Sequence, residues 1–244
     1  MNQNDLIPLL DELGFAGMRA HLDAVLAGYK QDQIEPICMA LKKLLVVERE
    51  YKTSRSLKYR LQLAKFPSVK LLADTSQSKL VANINVPDMI KKHENILLIG
   101  GSGSAKTHLA TGLAYVAIES GYRVKFYTLS ELASRLLKAK AHNYENQFIE
   151  FVKRFHLVVI DELGYVPIDS KASPILFALF AKLYEQTSLI ITTHLKFEEW
   201  GNMFGDAKAT KAIIDRITHH SKIIETGNKS FRNDAIDSKL IESL

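Results

Sequence analysis

The sequence lacks the features that would place it in a membrane or among disulfide-bonded proteins. Its single cysteine, Cys38, excludes an internal disulfide and a zinc site built on cysteines. No apolar run approaches the roughly 18 residues that a membrane-spanning helix needs. The amino-terminal segment, MNQNDLIPLLDELGF, carries acids and no basic stretch, which argues against a signal peptide. We therefore expect a cytoplasmic protein with no membrane partner.

The composition is that of a folded protein with a substantial core. The chain has 244 residues, of which 47% are hydrophobic and 24% are charged. This length fits one α/β domain with a smaller appendage. The net charge of +5 permits a polyanionic partner but does not require one.

A phosphate-binding loop is the most informative motif. An apolar strand at 96–99 is followed by a glycine- and serine-rich run and then by a helix, as in the pattern G-x-x-x-x-G-K-[ST]. Ala105 stands where that pattern has its second glycine. Backbone N–H groups at the start of the helix would bind phosphate oxygens, Lys106 would neutralise the β- and γ-phosphates, and Thr107 would bind Mg²⁺. The predicted nucleotide-binding residues are Gly100, Gly101, Ser102, Gly103, Ser104, Ala105, Lys106, Thr107 and His108.

A second motif supplies acids. The apolar run 157–160 is typical of a buried parallel strand, and it ends in Asp161 and Glu162. At the carboxyl end of such a strand, Asp161 can hold Mg²⁺ through water and Glu162 can polarise the attacking water. Together with the phosphate loop, this pair makes nucleoside triphosphate binding, with Mg²⁺, the leading hypothesis.

Two further positions have open interpretations. Thr193 and His194 lie at the tip of the predicted strand 188–193, where either side chain could hydrogen-bond the attacking water or form a simple strand-end turn. Arg216, in a helix that follows Gly205 and Asp206, could reach the phosphates of a neighbouring subunit or form a surface ion pair. The sequence alone does not separate these alternatives.

The order of elements predicts three segments. Residues 1–66 read as a helical domain that binds DNA or a partner, 67–92 as a linker, and 93–244 as the ATPase domain. In the last segment, predicted strands at 95–99, 123–127, 156–160 and 188–193 alternate with helices at 106–119, 129–141, 144–155, 171–186 and 207–220. This alternation predicts a parallel sheet flanked by helices on both faces. A long helix from about Pro36 to Leu63 closes the first segment.

The second half of that helix is basic and contains few acids. Arg49, Lys52, Arg55 and Lys58 recur every three residues, which places them near one helix face. A solvated charged surface is one interpretation. Contact with DNA phosphates is the other, and the scarcity of acids together with the neighbouring ATPase motifs gives it equal weight.

Four blocks of sequence resemble one family. They are AKFPSVKLLAD, AKTHLATGLAYVAIESGYRVKFYT, LVVIDELGYVPID and ITTHLKFEEWGNMFGDAKATKAIIDRITHHSKIIETGNKSFR. The chain resembles the IstB-type helper ATPases of insertion-sequence transposition, a branch of the AAA+ ATPases related to the DnaC helicase loader. The resemblance covers nearly the whole chain.

The resemblance implies a function and a set of roles. It implies a P-loop AAA+ core, ATP-dependent assembly into a ring or helical homo-oligomer on double-stranded DNA, remodelling of that DNA and cooperation with a cognate transposase. Asp161 and Glu162 match the Mg²⁺-binding and water-activating acids, Thr193 and His194 fall at the first sensor, and Arg216 matches the arginine that acts across the subunit interface. Because the sequence ends soon after Arg232, no helical lid domain is expected.

Ala105 leaves open whether the protein binds and hydrolyses ATP normally. A Cβ there obstructs the approach of backbone to phosphate and raises the cost of a left-handed conformation by roughly 1–2 kcal/mol. The alternatives are a tolerant loop with weaker ATP affinity, a degenerate copy and a deliberate substitution. Three functions therefore compete: a transposition ATPase, a helicase loader with a partner-binding amino terminus, and a DNA-binding scaffold that does not hydrolyse ATP.

Overall fold

The chain divides between Tyr59 and Arg60 into two compact units. The computed structural model describes residues 5–165, 169, 171–196, 199–200 and 207–227. Gly205, Asp206 and Arg232, which the sequence interpretation uses, lie outside the described residues.

Three helices form the described part of the first unit: α1 (Ile7–Leu13), α2 (Ala16–Leu26) and α3 (Gln31–Ala64), whose last turn belongs to the second unit. Apolar residues at three- and four-residue spacing give these helices a buried stripe. The small core consists of Leu6, Leu9, Leu10, Leu22, Leu26, Cys38 and Leu45. Helix α3 begins ahead of its expected start and includes Pro36.

A parallel sheet is the centre of the second unit. Its strands are β1 (Asn95–Gly100), β2 (Val124–Thr128), β3 (Leu157–Leu163), β4 (Ser188–Thr193) and β5 (Ser221–Gly227). In the described residues they lie side by side in the order β2-β3-β4-β1-β5. All four pairings are parallel, so the carboxyl ends of the strands share one edge of the sheet. Residues that follow the strands therefore meet at that edge.

Six helices complete the described part of this unit: α4 (Val86–Lys91), α5 (Lys106–Glu119), α6 (Leu129–Ala141), α7 (Glu145–Lys153), α8 (Ser173–Leu183) and α9 (Ala207–Thr218). The expected helix at 106–119 is confirmed residue for residue, and the one at 129–141 begins where Thr128 caps the N–H of Glu131. The helices expected at 144–155, 171–186 and 207–220 are each slightly shorter in the structure. Buried apolar residues on one face of the sheet form a core with α6, α7, α8 and α9, and α5 is also largely buried.

Strand β5 was not expected from the sequence. Its seven residues, SKIIETG, mix polar and apolar side chains, and it lies at the edge of the described sheet, where four of the seven residues are exposed. It therefore lacks the continuous apolar run by which buried parallel strands are recognised. This omission matters because β5 pairs with β1, the strand that leads into the phosphate loop.

The segment 67–92, expected to be a linker, contributes packed structure to the second unit. It contains two short 3₁₀ helices (Leu72–Asp74 and Ser76–Val81) followed by α4. Val81, Val86, Met89 and Ile90 are buried. A Cβ added at Gly112 of α5 would lie 2.6 Å from Leu72 Cδ2, so the segment packs tightly on that helix.

A buried lysine joins the end of α3 to the sheet. Lys125 lies on β2, is 5% exposed, and donates a hydrogen bond from Nζ to the carbonyl oxygen of Leu63 at 2.9 Å. This ammonium satisfies one of the carbonyl groups that every helix leaves unpaired at its carboxyl end.

Candidate functional site

A cleft of about 540 Å³ opens at the carboxyl edge of the sheet. The structure brings together there the loop residues 102–108, Glu162 and the tip of β4, as the sequence predicts. The segment before β1 also contributes to its walls, which the sequence did not predict. The side chains from that segment are Lys70, Asp74, Thr75 and Ser76.

The loop between β1 and α5 has the form of a phosphate-binding loop. It turns from Gly100 into Lys106, the first residue of α5, so the positive end of that helix faces the cleft. Lys106 Nζ donates hydrogen bonds to Gly100 O and Gly101 O, both at 2.7 Å. The carbonyl groups of Gly100 and Gly101 therefore hold the Lys106 side chain, while residues 102–108 line the cleft.

Ala105 adopts a left-handed backbone conformation. Its φ is +65° and its ψ is +15°, and Gly103, two residues earlier, has φ +81°. Glycine adopts such angles freely, whereas an L-residue with a Cβ does so at a cost of roughly 1–2 kcal/mol. The loop thus holds an alanine in a conformation that glycine would adopt freely.

Asp161 is hydrogen-bonded to two residues that line the cleft, Thr107 and Thr192. It is 4% exposed, and Thr107 Oγ1 lies 3.0 Å from each of its carboxylate oxygens. Thr192 Oγ1 also donates a hydrogen bond to Asp161 Oδ1. A hydroxyl and a carboxylate are the oxygen donors that Mg²⁺ binds beside nucleotide phosphates. Thr107 and Asp161 therefore fit the metal role expected of them.

Glu162 stands beside this group on a distorted stretch of strand. Its φ is +63°, and the pairing of β3 with β4 shifts register between Ile160 and Leu163. Such irregularities re-aim side chains near functional sites. The Glu162 side chain is exposed and lines the cleft, and its N–H donates to Thr192 Oγ1 at 3.0 Å.

Sequence reasoning missed Thr192. Its hydroxyl holds the Asp161 carboxylate and the Glu162 backbone at once, so it fixes both acids. The register of β3 and β4 pairs Ile160 with Ile191, which places Thr192 next to Asp161. Only the relative register of two strands, not visible in a single sequence, would have identified it.

Thr193 and His194 have different surroundings. Thr193 is 1% exposed, donates to Leu163 O at 2.9 Å and accepts from Leu195 N at 3.0 Å. Its hydroxyl is thus occupied by the strand-end turn. His194 is exposed at the cleft, where its ring stands edge-on to that of Tyr165 with 5.1 Å between the centroids.

Arg216 lies at the opposite edge of the sheet. Near the carboxyl end of α9, it lines a small pocket with Asn95 and Leu189, which stand at the amino ends of β1 and β4. Its guanidinium carbon lies 4.8 Å from the centroid of the Phe177 ring. Nη1 is buried, and no group in the described part of the chain accepts a hydrogen bond from it. Arg216 therefore stands apart from the cleft of its own chain.

The four cations of α3 that were predicted to bind DNA divide into two pairs. Arg49 forms an ion pair with Glu12 at 3.7 Å. Lys52 donates to Leu13 O at 3.1 Å and lies 4.4 Å from the centroid of the Phe15 ring. These two cations hold α3 to the turn between α1 and α2.

Arg55 and Lys58 form the second pair. They lie further along α3, and both side chains are exposed. Lys52 is exposed as well, but it contacts Leu13 and Phe15, so Arg55 and Lys58 are the more available to a polyanion.

Fold and site together define a P-loop protein with an AAA+ core fold. DnaA from Aquifex aeolicus, solved with AMPPCP, superposes with a TM-score of 0.53 and 20% identity, over 72% of this chain and 56% of the DnaA chain. DnaI superposes with a TM-score of 0.54 and 16% identity, over 64% of this chain and 90% of the other. This chain thus spans just over half of DnaA, and these likenesses establish the fold.

Sequence comparison gives the family. The IstB-like ATP binding protein family matches residues 9–237, so the chain belongs to it. An ATP-binding protein of insertion sequence IS21 from Pseudomonas aeruginosa is 30% identical over 94% of this chain and 89% of its own length. One of IS5376 from Geobacillus stearothermophilus is 33% identical over 79% of each. The resemblance drawn from the sequence blocks is confirmed.

Among the helices described, including the 34-residue α3, none combines the length and apolar character that crossing a membrane requires.

Proposed function

We propose that this protein is a cytoplasmic ATP-dependent helper of transposition that assembles as a homo-oligomer on double-stranded DNA, remodels it and delivers it to a transposase. The observation that carries the proposal is the convergence of the phosphate loop with Thr107, Asp161 and Glu162 at one cleft. The relatives are named as ATP-binding proteins of insertion sequences, which supports the transposition role.

The residues of the cleft suit hydrolysis of ATP to ADP and phosphate. Lys106 balances charge on the β- and γ-phosphates, and loop N–H groups bind their oxygens. Thr107 and Asp161 would hold Mg²⁺, which when bound neutralises charge that develops on the phosphates. Glu162 accepts a proton from the attacking water as its oxygen bonds to the γ-phosphorus and the bond to the bridging oxygen breaks.

A second candidate is a nucleotide-binding scaffold on DNA that hydrolyses ATP poorly. The left-handed Ala105 favours it, because a Cβ at that position opposes close approach of the loop to phosphate. The two candidates share the fold, the cleft and DNA binding, and they differ in turnover.

Electron microscopy of the protein with duplex DNA, with and without ATP, tests the proposal. We expect ordered assemblies on DNA that depend on ATP and are lost in Lys106→Ala. Phosphate release measured in the same samples separates the candidates: assembly with turnover supports the helper ATPase, and assembly without turnover supports the scaffold. Absence of ATP-dependent assembly from the intact chain would contradict both.

A further inference from the structure

Two side-chain hydroxyls attach the phosphate loop to the end of β5. Ser104 is fully buried, and its Oγ lies 2.6 Å from Thr226 Oγ1 and 2.8 Å from Gly101 O. Thr226 is also buried, and its hydroxyl lies 3.3 Å from Ile99 O on β1. The hydroxyl pair therefore connects the middle of the loop to both strands that end beneath it.

The backbone of β5 holds the start of the same loop. Gly101 N–H donates to Gly227 O at 3.0 Å. A Cβ added at Gly100 would lie 2.2 Å from Thr226 Oγ1 and 2.7 Å from Gly227 O, so only glycine fits there. The end of β5 is thus in direct contact with the loop over several residues.

Ala105 lies between two fixed points. On one side Ser104 is held by Thr226, and on the other Ala105 O accepts a hydrogen bond from Leu109 N at 2.9 Å. Its left-handed φ of +65° is therefore imposed by its neighbours, since alanine by itself avoids that region.

We propose that the Ser104–Thr226 hydrogen bond is a clamp on the phosphate loop. It keeps Ala105 in the left-handed conformation, which alanine disfavours. Without the clamp, an alanine at position 105 lowers its conformational free energy by relaxing to negative φ, whereas a glycine does not. Thr226 is thereby a positioning residue for nucleotide, an effect that rests on the proposed ATP-binding role of the cleft. The conformational effect on the loop does not depend on that role.

Hydrogen exchange measured by mass spectrometry on the full chain without nucleotide tests the clamp. Thr226→Val removes the hydroxyl at nearly constant shape and is compared in the natural chain and in Ala105→Gly. We expect amide exchange in peptides covering 100–107 to rise roughly five- to tenfold in the Ala105 chain, the size of one buried hydrogen bond, and less than about twofold in the Ala105→Gly background.

Two variants serve as controls. Thr187→Val removes another buried hydroxyl, which donates to Phe155 O at 3.3 Å at the opposite edge of the sheet, and should leave loop exchange unchanged. Thr226→Ser keeps the hydroxyl and should retain slow exchange. Ser104→Ala breaks the same bond from the loop side and should reproduce Thr226→Val.

Two exchange results would overturn the clamp: equal acceleration in both backgrounds, and no acceleration in either. Unfolding of both Thr226→Val and Ser104→Ala also overturns it, because the hydroxyl pair would then belong to the fold as a whole. ATP affinity should follow exchange, falling several-fold more in the Ala105 chain. Retention of ATP binding by Lys106→Ala would instead contradict the proposed function and leave the exchange result standing.

Discussion

Ala105 holds a backbone conformation, φ +65°, that an alanine adopts only under constraint. We expect Ala105→Gly to raise ATP affinity, because it removes the Cβ beside the phosphates and the cost of the left-handed angle. Calorimetric titration with ATP measures the change, and several-fold tighter binding is expected.

A matched control separates the site from the backbone. His93→Gly relieves a similar angle, φ +53°, at an exposed position after α4 and should not affect ATP affinity. Indistinguishable ATP binding by the natural chain and Ala105→Gly would show that alanine is harmless at this position.

Glu162 is expected to be necessary for hydrolysis and dispensable for binding. Its side chain faces the cleft, while Lys106 and Thr107 lie where phosphate and metal would bind. Glu162→Gln keeps the shape but cannot accept a proton, so turnover should fall at least about 100-fold, as for loss of a general base. ATP affinity and phosphate release measured on one preparation check this. Loss of ATP binding with the fold intact would contradict the assigned role.

The buried Lys125 predicts a pH dependence of stability. Burial is the main cause that lowers its pKa from 10.5 to about 8, and the positive charges of Lys65 and Arg135 add to the effect. Between these values the native state binds fewer protons than the unfolded state, so this group makes the free energy of unfolding rise with pH from about 8 towards 10.5.

Chemical denaturation of the intact chain and of Lys125→Met measures that effect. The free energy of unfolding of the intact chain, relative to Lys125→Met, should be level below pH 8 and rise above it. Lys138→Met, at an exposed position on α6, is the control. A difference that stays level across the whole range would rule out the shifted lysine.

At the scale of elements, α3 contains cations with two kinds of surroundings. Arg49 and Lys52 contact the turn between α1 and α2, whereas Arg55 and Lys58 are exposed further along the helix, away from that turn. Arg55→Gln with Lys58→Gln should weaken DNA binding without loss of stability. The slope of the salt dependence should flatten by about 0.9 for each phosphate that the variant no longer neutralises. Binding to several unrelated duplexes should weaken alike, because phosphate contacts carry no sequence information.

Arg49→Gln with Lys52→Gln is the matched comparison. This pair should lower the melting temperature of the first unit, because it removes an ion pair and a helix-end hydrogen bond. If Arg55→Gln with Lys58→Gln leaves DNA binding intact but abolishes binding to a protein partner, the helicase-loader interpretation would replace the transposition role.

The elements that could be predicted are those whose own residues show a local pattern, such as an apolar run, a loop motif or a capping residue. Strand β1 and the helix after it follow from an apolar run and a phosphate-loop motif, and α6 from its capping residue. Strand β5 and Thr192 could not be predicted in the same way. An exposed edge strand lacks a continuous apolar pattern, and the place of Thr192 depends on how two strands align in space.

At the scale of the whole molecule, Arg216 lies at the edge of the sheet away from its own cleft. It is therefore expected to complete the site of a neighbouring subunit, where such arginines contribute roughly 10³–10⁵ in rate. Mixing Arg216→Ala with Glu162→Gln subunits tests this. At equal amounts, random assembly pairs an intact Glu162 with an intact Arg216 at roughly one interface in four, and activity should recover in proportion.

The same mixing experiment can also show that Arg216 has a different role. No recovery in mixtures shown to co-assemble would place Arg216 in a structural role, consistent with its packing on Phe177. Here the sequence left two alternatives open, because the position of a side chain relative to another copy of the chain is not encoded in local pattern.

The place of β5 in the sheet has a consequence for synthesis of the chain. Strand β1 lies between β4 and β5, so its two partners are made long after it, and β5 is the last strand described. A nascent chain that has not reached Gly227 has its phosphate loop but not the strand against which that loop rests. Nucleotide is therefore expected to stabilise the sheet only after β5 has been made, late in the synthesis of the chain.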